Sequence, residues 1–471
     1  MSNMATGTSV FPQVSVPAGT DEELAGPPRQ LAPTGRQERI SSVDVLRGVA
    51  LLGILLANVT SFGLPDWAYW IPLSTPRPVF EGPHAHLNTV AWFARWIVME
   101  GKMRALFSML FGAGVVLLTS RAEERGVSER MADIFLRRNM WLVLFGVLHA
   151  YFVWFGDILY FYGLDALIFL YPCRRLKART LILAGIAVLI VDMAGPLTGG
   201  PALLDSALSR RAAEAKAAAS AGTPLTDAQQ ADVTAWNTRL EQWKPGQKTI
   251  DEDLAATRRG YVSAQRKDVP AVVQFERDWF YAFGFCDMLG LMLIGMGLFK
   301  NGFLTARMSA RVYAVTALVC ASISVPVVAL GAWKAWASGF DLLTSEWWLG
   351  LPYDLGRATG AVAIAAATLL LIKTGAVRRV TRRLAAVGQL ALSNYLGTSV
   401  ICKLLFVWGP WKLYGQLEYY QLYYVVAAVW CVNLVWSPIW LRHFEFGPAE
   451  WVWRSLTYWK RQPMRLAAGG A

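Results

Sequence analysis

Apolar residues fall along this chain in long blocks, not in the alternation of strands or the single stripe of a soluble helix. Ten blocks lie near residues 43–62, 88–119, 137–154, 157–172, 178–197, 278–299, 309–332, 349–372, 384–408 and 420–441. Most approach the ~20 residues that carry an α-helix across a hydrocarbon core of about 30 Å. The pattern predicts an all-α polytopic transmembrane bundle of about ten spans. The second block is broken by Glu100, Gly101, Lys102 and Arg104, so it reads as a surface helix followed by a short span.

The polar stretches between blocks divide the chain. Residues 1–42 are rich in Pro, Gly, Ser and Thr and read as a disordered cytosolic tail. They lack the basic start and apolar centre of a signal peptide. Residues 43–198 form an N-terminal transmembrane half and 278–441 a C-terminal one. Between them, 199–277 is Ala-rich, charged and helix-favouring, too polar to span, and reads as an outward-facing helical insertion. Residues 442–471 read as a cytosolic amphipathic tail, with Glu450 and Arg454 one turn apart and Trp451, Trp453 and Trp459 suited to a membrane interface.

Composition narrows the class. Hydrophobic residues make up 55% of the chain and charged residues 17%, against about a quarter charged in soluble proteins. The net charge of +12 sits mainly in alternate loops, as the positive-inside rule requires, and places both termini in the cytosol. Membrane lipids are thus the expected surroundings, and without a basic-aromatic platform no nucleic-acid role follows. The five cysteines are scattered and form no CxxC pair, which argues against disulfides and zinc. His84 and His86 have metal-like spacing but no supporting carboxylate or cysteine cluster, so no metal is expected.

Ionisable groups at membrane depth are costly unless paired and mark functional sites. At the inner edge of the first span, Asp44 and Arg47 share a helix face. They read either as a local ion pair or, with Arg138, as an anion site in which the guanidinium fork meets phosphate. Asn58 lies eleven residues beyond Arg47, roughly 16 Å further along the helix. At a similar outer level stand His149, Asp157, Asp287, Asp354 and Arg357. Asp157 follows Gly156 where an N-cap belongs. Straight-helix geometry separates His149 from Asp157 by roughly 8–10 Å, so Asp287, or a hydroxyl on a neighbouring span, is the expected partner; His149 reads either as a general base oriented by Asp287 or as a histidine that only bonds a neighbouring helix. Asn394, in the inner half of the ninth span, reads either as lining a polar path or as joining helices.

The segments DVLRGVALLGILLAN, LFSMLFGAG, LFGVLHAYFVWFGDIL, CDMLGLMLIGMGLFKNG, LSNYL and FGPAEWVWRSLT, in this order over nearly the whole chain, resemble the YeiB-like family of bacterial inner-membrane proteins, a domain of unknown function. Cys286 stands where that family usually has glycine before the aspartate. The family in turn resembles a branch of the transmembrane acyltransferase superfamily, sharing the first-span D-x-x-R-G, here Asp44, Arg47 and Gly48. The resemblance implies a multi-pass protein of the bacterial inner membrane that takes an acyl group from cytosolic acyl-CoA, as co-substrate, to a periplasmic sugar or small-molecule acceptor. The superfamily histidine usually lies near the outer end of the first span, where this chain has Asn58, so the base is assigned here to His149. Under this expectation His149, Asp287, Asp157 and Asn58 are catalytic, with Asn58 an oxyanion donor, and Asp44, Arg47, Arg138 and Asn394 bind the co-substrate. A small-molecule transporter or exporter, with the same charges binding substrate, is the alternative; no repeat symmetry between the halves supports it.

Overall fold

A computed structural model of the chain describes residues 41–124, 131–198 and 200–466. The expected N-terminal tail therefore lies outside the described residues except for Ser41 and Ser42. The principal helices are α1 (Ser41–Gly63), α2 (Ala85–Ala94), α3 (Lys102–Glu124), α4 (Met131–Phe152), α5 (Leu159–Asp165), α6 (Ala178–Thr198), α7 (Pro201–Ser220), α8 (Asp227–Trp243), α9 (Gln247–Arg258), α10 (Tyr261–Gln274), α11 (Phe285–Lys300), α12 (Ala310–Ala337), α13 (Tyr353–Thr374), α14 (Arg378–Gln389), α15 (Ala391–Lys403), α16 (Leu422–Trp440) and α17 (Pro448–Tyr458). No strand is named among the described residues; a single isolated bridge joins Phe444 to Arg465.

Every predicted span is helical. Among the described residues, seven helical runs are long and apolar enough to cross a membrane: Ser41–Gly63, Ala85–Glu124, Ala178–Gly195, Ala310–Ala337, Tyr353–Thr374, Ala391–Trp408 and Tyr419–Trp440. The other three predicted spans are shorter or more charged: α4, the apolar run Leu159–Cys173, and α11. Such helices cross only where neighbours cover their polar groups. α12 is the opposite case: Val315, Leu318 and Ile323 are exposed on it, as a lipid-facing helix requires.

The bundle has two ends of different character. At one, Ser42 Oγ donates to the Leu304 carbonyl (3.1 Å), Lys300 Nζ to the carbonyls of Arg174 and Leu176, and Lys373 Nζ to that of Ala306. This end gathers the arginine-rich loops. At the other, the Gly415 amide donates to the Gly63 carbonyl (2.8 Å), and the polar helices α7–α10 are docked. A capping box of Thr226 and Gln229 starts α8. Trp243 Nε1 donates to the Phe340 carbonyl (3.0 Å), Arg258 to that of Tyr414, and Lys403 pairs with Asp268 (3.2 Å). The insertion is thus packed onto the bundle, not a detached spacer.

Two breaks govern the site. The second predicted span divides at Glu100–Gly101, as its charges imply, with Glu100 paired to Arg95 (2.7 Å). The ninth, 384–408, is two helices, α14 and α15, separated at Leu390. There Glu450 of α17 accepts from the amides of Leu392 (2.7 Å) and Ser393 (3.1 Å), supplying the partners that the first turn of α15 otherwise lacks. α14 lies flat on α1: a Cβ on Gly48 would meet the Leu384 carbonyl oxygen at 2.1 Å, and one on Gly388 the Asp44 carbonyl oxygen at 1.9 Å. The glycine of D-x-x-R-G is therefore needed for this contact, since any side chain would part the helices.

Candidate functional site

A cavity of about 160 Å³ lies within the bundle between α1, α3, α4, α5, α14, α15 and α17. Its arginine-rich end is lined by Arg47, Arg138 and Arg454. Arg47 is held by Asp44 (3.3 Å), the i, i+3 pair expected from sequence. The Arg138 guanidinium lies 3.8 Å from the Trp453 ring centre, and Trp453 Nε1 donates to the Arg138 carbonyl (2.8 Å). α17 therefore closes this end, contributing Arg454 and Trp453 to its wall and Glu450 to the cap of α15. Burial pushes the Glu450 carboxyl up from its ordinary value, while the Ser393 hydroxyl and the amides it accepts from hold it down.

Apolar side chains form much of the wall: Phe107, Leu110 and Phe111 of α3, Phe135 and Leu142 of α4, with the polar Asn139 among them. Toward the other end the lining becomes phenolic, with Tyr162 and Tyr395. Tyr162 Oη is 2.6 Å from Ser108 Oγ, and Tyr395 Oη donates to Asp157 Oδ1 (3.4 Å).

Behind Tyr395 is a buried histidine–aspartate pair. His149 Nδ1 lies 2.9 Å from Asp157 Oδ1, and the Tyr160 amide donates to Asp157 Oδ2 (2.9 Å). Asp157 thus accepts from a first-turn amide of α5, as expected, although the residue at the cap position is Ile158. The expectation that His149 and Asp157 stay apart is corrected. α4 ends one turn after His149, where the amides of Val153 and Trp154 both donate to the His149 carbonyl (2.9 Å each), and residues 153–158 return alongside the helix. Gly146 makes room: a Cβ there would meet Tyr160 N at 2.2 Å and Asp157 Oδ2 at 2.8 Å. A carboxylate only accepts, so Nδ1 carries the hydrogen and Nε2 presents a lone pair. That Nε2 is buried and has no hydrogen-bond partner among the described residues. The imidazole is 2% exposed, with ring centres 5.1 Å from Tyr395 and 6.4 Å from Trp154. Tyr395 thus separates it from the cavity by one side chain.

Asp287 belongs elsewhere. It pairs with Arg104 (2.8 Å) and, in closer contact, with Arg357, which also holds Asp354 and lies 3.6 Å from Asp192. With both its oxygens on guanidinium groups, Asp287 does not orient His149, and that expectation too is corrected. Sequence distance could not show it, because the arginine partners come from α3 and α13. Asn394 is likewise committed: Nδ2 donates to the Val387 carbonyl and to Ser437 Oγ (3.0 Å each), and Oδ1 accepts from Trp436 Nε1 (2.7 Å). It joins α14, α15 and α16, and the cavity wall is taken by its neighbour Tyr395. Asn58 is half-buried on α1 and outside the lining.

The structure therefore brings together Arg47 and Arg138 at one end of the cavity and His149 and Asp157 behind the other. Tyr162, Tyr395, Arg454 and Glu450 complete the site. The aromatic and charged positions of LSNYL and AEWVWR are the sequence signal for three of them. Among the described residues no group of three or more His, Cys, Asp or Glu side chains could hold a metal ion.

Residues 298–460 match the family model described as a protein of unknown function, DUF418. The uncharacterized protein YeiB of Escherichia coli (strain K12) is 30% identical over 429 residues, 89% of this chain and 96% of that protein. The uncharacterized protein YxaH of Bacillus subtilis (strain 168) is 29% identical over 434 residues, 92% of this chain and 98% of that one. An uncharacterized 39.9 kDa protein encoded in the amylase 3' region of Bacillus acidopullulyticus is 27% identical over 438 residues, 92% and 98% of the two chains. No solved structure matches significantly.

Proposed function

The chain belongs to the YeiB-like DUF418 family, and we propose that it is a membrane acyltransferase using acyl-CoA from the arginine-rich side and an acceptor reached from the other. The observation that carries this reading is the cavity itself: three arginines at one end, apolar walls, and a His–Asp pair with an unpartnered nitrogen one side chain beyond the other end. The basic end would face the cytosol of the bacterial inner membrane by the positive-inside rule.

Arg47, Arg138 and Arg454 suit phosphate oxygens, since guanidinium forks bind them bidentately. Phe107, Leu110, Phe111 and Leu142 suit an extended arm and exclude water. Arg138 and His149 are eleven residues apart on α4, so roughly 16 Å of helix separates the anion site from the base. The Tyr395 ring must turn for the two to communicate. His149 Nε2 then takes the proton of the acceptor's hydroxyl or amine as its heteroatom attacks the thioester carbon. Asp157 holds Nδ1–H and stabilises the imidazolium. When the C–S bond breaks, the imidazolium returns that proton to the departing sulfur, leaving the acylated acceptor and free CoA thiol.

The ion-pair cluster of Arg104, Arg357, Asp287, Asp354 and Asp192, in which Asp287 and Arg357 are buried and the others half-buried, is the observation that favours the alternative, a transporter, because intramembrane ion pairs commonly line substrate paths. One experiment separates the two. With the purified protein in lipid nanodiscs, acyl-CoA binding and hydrolysis are measured for wild type, Arg47→Ala and His149→Ala. Acyl transfer requires saturable binding that Arg47→Ala weakens and hydrolysis that His149→Ala abolishes. Absence of acyl-CoA binding in the wild type refutes it.

A further inference from the structure

Asp165, on α5, is 0% exposed, and neither of its carboxyl oxygens has a hydrogen-bond partner among the described residues. Its buried counterparts differ. Asp157 has His149 and the Tyr160 amide, Asp287 has two arginines, Asp268 has Lys403 and Glu450 has two amides. The charge that acts on Asp165 is Asp287 of α11, which is of the same sign. Arg104 of α3 is held on Asp287. Cys286 of α11 and Tyr162 of its own helix are the other titratable groups near it. α4, packed along α5 at Gly163, brings Asn139 and Val143.

An isolated carboxylate in such surroundings is far more costly than a neutral acid, and the group gives up its charge instead. A metal ion would need further ligands, and among the described residues no group of three or more His, Cys, Asp or Glu side chains could hold one. We propose that Asp165 is a proton-binding site within the bundle, loaded from the cavity and coupled to the Arg104–Asp287–Arg357 network. Tyr162 is the link. It lies one helical turn before Asp165, lines the cavity, and bonds through Oη to Ser108 Oγ (2.6 Å) and the Arg104 carbonyl (3.3 Å). A proton taken up from cavity water, with the Tyr162 hydroxyl turning from Ser108 to reach the carboxyl, converts the Asp165 carboxylate to the acid. Its loss returns the proton to water and places a second negative charge beside Asp287, which draws Arg104 toward Asp165. Intramembrane carboxyls of this kind serve as proton stations. The site stands whether or not the protein transfers acyl groups, and its test uses no acyl-CoA.

Infrared difference spectroscopy of the purified protein in nanodiscs, in H2O and D2O over a range of pH, reads protonated carboxyls directly. The wild type is expected to keep a carboxylic-acid C=O band above neutral pH that shifts in D2O, disappears in Asp165→Asn and moves in Asp165→Glu. The second variant carries the test if the first does not fold. In Asp287→Asn, where the repelling charge is gone, the band is expected to vanish at lower pH than in the wild type. An Asp165→Asn spectrum identical to wild type overturns the proposal. So does a carboxylate band at this position that responds to Na⁺ or K⁺ instead of to pH.

Discussion

Two polar layers lie at similar depth in this bundle, and their hydrogen bonding sets them apart. The Arg104–Asp287–Arg357 network is saturated around its central acid: Asp287 serves two guanidinium groups, and Arg357 also serves Asp354. The His149–Asp157 pair is anchored on one side only: Nδ1 is held by Asp157, and Nε2 has no hydrogen-bond partner among the described residues. Ionisable residues in a membrane thus divide into groups whose valences are spent on holding helices together and groups with a valence kept in reserve. Composition treats both alike; the difference lies in partners drawn from distant helices.

The largest effect that distinguishes the layers should come from the saturated one. Asp287→Ala leaves the buried Arg357 and the half-buried Arg104 without their shared acceptor, and breaking such a buried pair costs about 3–5 kcal/mol. Thermal unfolding in detergent should show a fall in Tm far greater than that of His149→Ala. Equal falls would erase the distinction.

At the open layer the loss should be functional. Arg47→Ala removes one charge-assisted contact to an anionic ligand, worth about 1.5–3 kcal/mol, or roughly ten- to a hundredfold in Kd. Titration with acyl-CoA checks this, and an unchanged Kd would place the anion elsewhere.

A smaller effect should follow at the hinge between α14 and α15. Glu450→Ala removes the acceptor for the amides of Leu392 and Ser393, with a loss of about 1 kcal/mol by analogy with N-caps. Hydrogen exchange should quicken at the start of α15 and leave α12 unchanged.

The smallest lies at the insertion. Burial and the neighbouring Asp205 carboxylate push Glu346 up to about 7, against the pull of Arg239. Arg239 bridges Asp205 (2.7 Å) and Glu346 (2.8 Å). Because the folded value lies above the ordinary one, the folded state binds the extra proton. The stabilisation is complete below the ordinary glutamate range and is lost as pH rises through about 7. Exchange in α7 and α8 should therefore quicken from pH 6 to pH 8 in the wild type and lose that dependence in Glu346→Gln.

Much of the scaffold was legible in the pattern of apolar blocks, because a helix in lipid must satisfy its own backbone and therefore declares its length. The interruption at Glu100–Gly101 was visible for the same reason. The break at Leu390 was not: the apolar block runs through it, and the Glu450 side chain that makes it tolerable comes from sixty residues downstream. The pairing of Asp44 with Arg47 followed from helix spacing, and the bond of Asp157 to a first-turn amide from its place after Gly156. The His149–Asp157 contact escaped because the rise of a straight helix says nothing about a chain that folds back along it. Asp287 was misassigned because its arginines lie 183 and 70 residues away in sequence. Asn394 and Tyr395 stand side by side, yet helix geometry points them in different directions, and only the tyrosine reaches the cavity.

The central claim is that the arginine end and His149 serve one ligand through a single cavity. The most direct measurement is acyl-CoA binding and turnover by His149→Gln beside the wild type, in the same nanodiscs. The account predicts an unchanged Kd with turnover reduced by at least about a hundredfold, the order expected for removing a general base. Turnover equal to wild type, or a Kd that collapses with it, would contradict a distant base fed by a separate anion site.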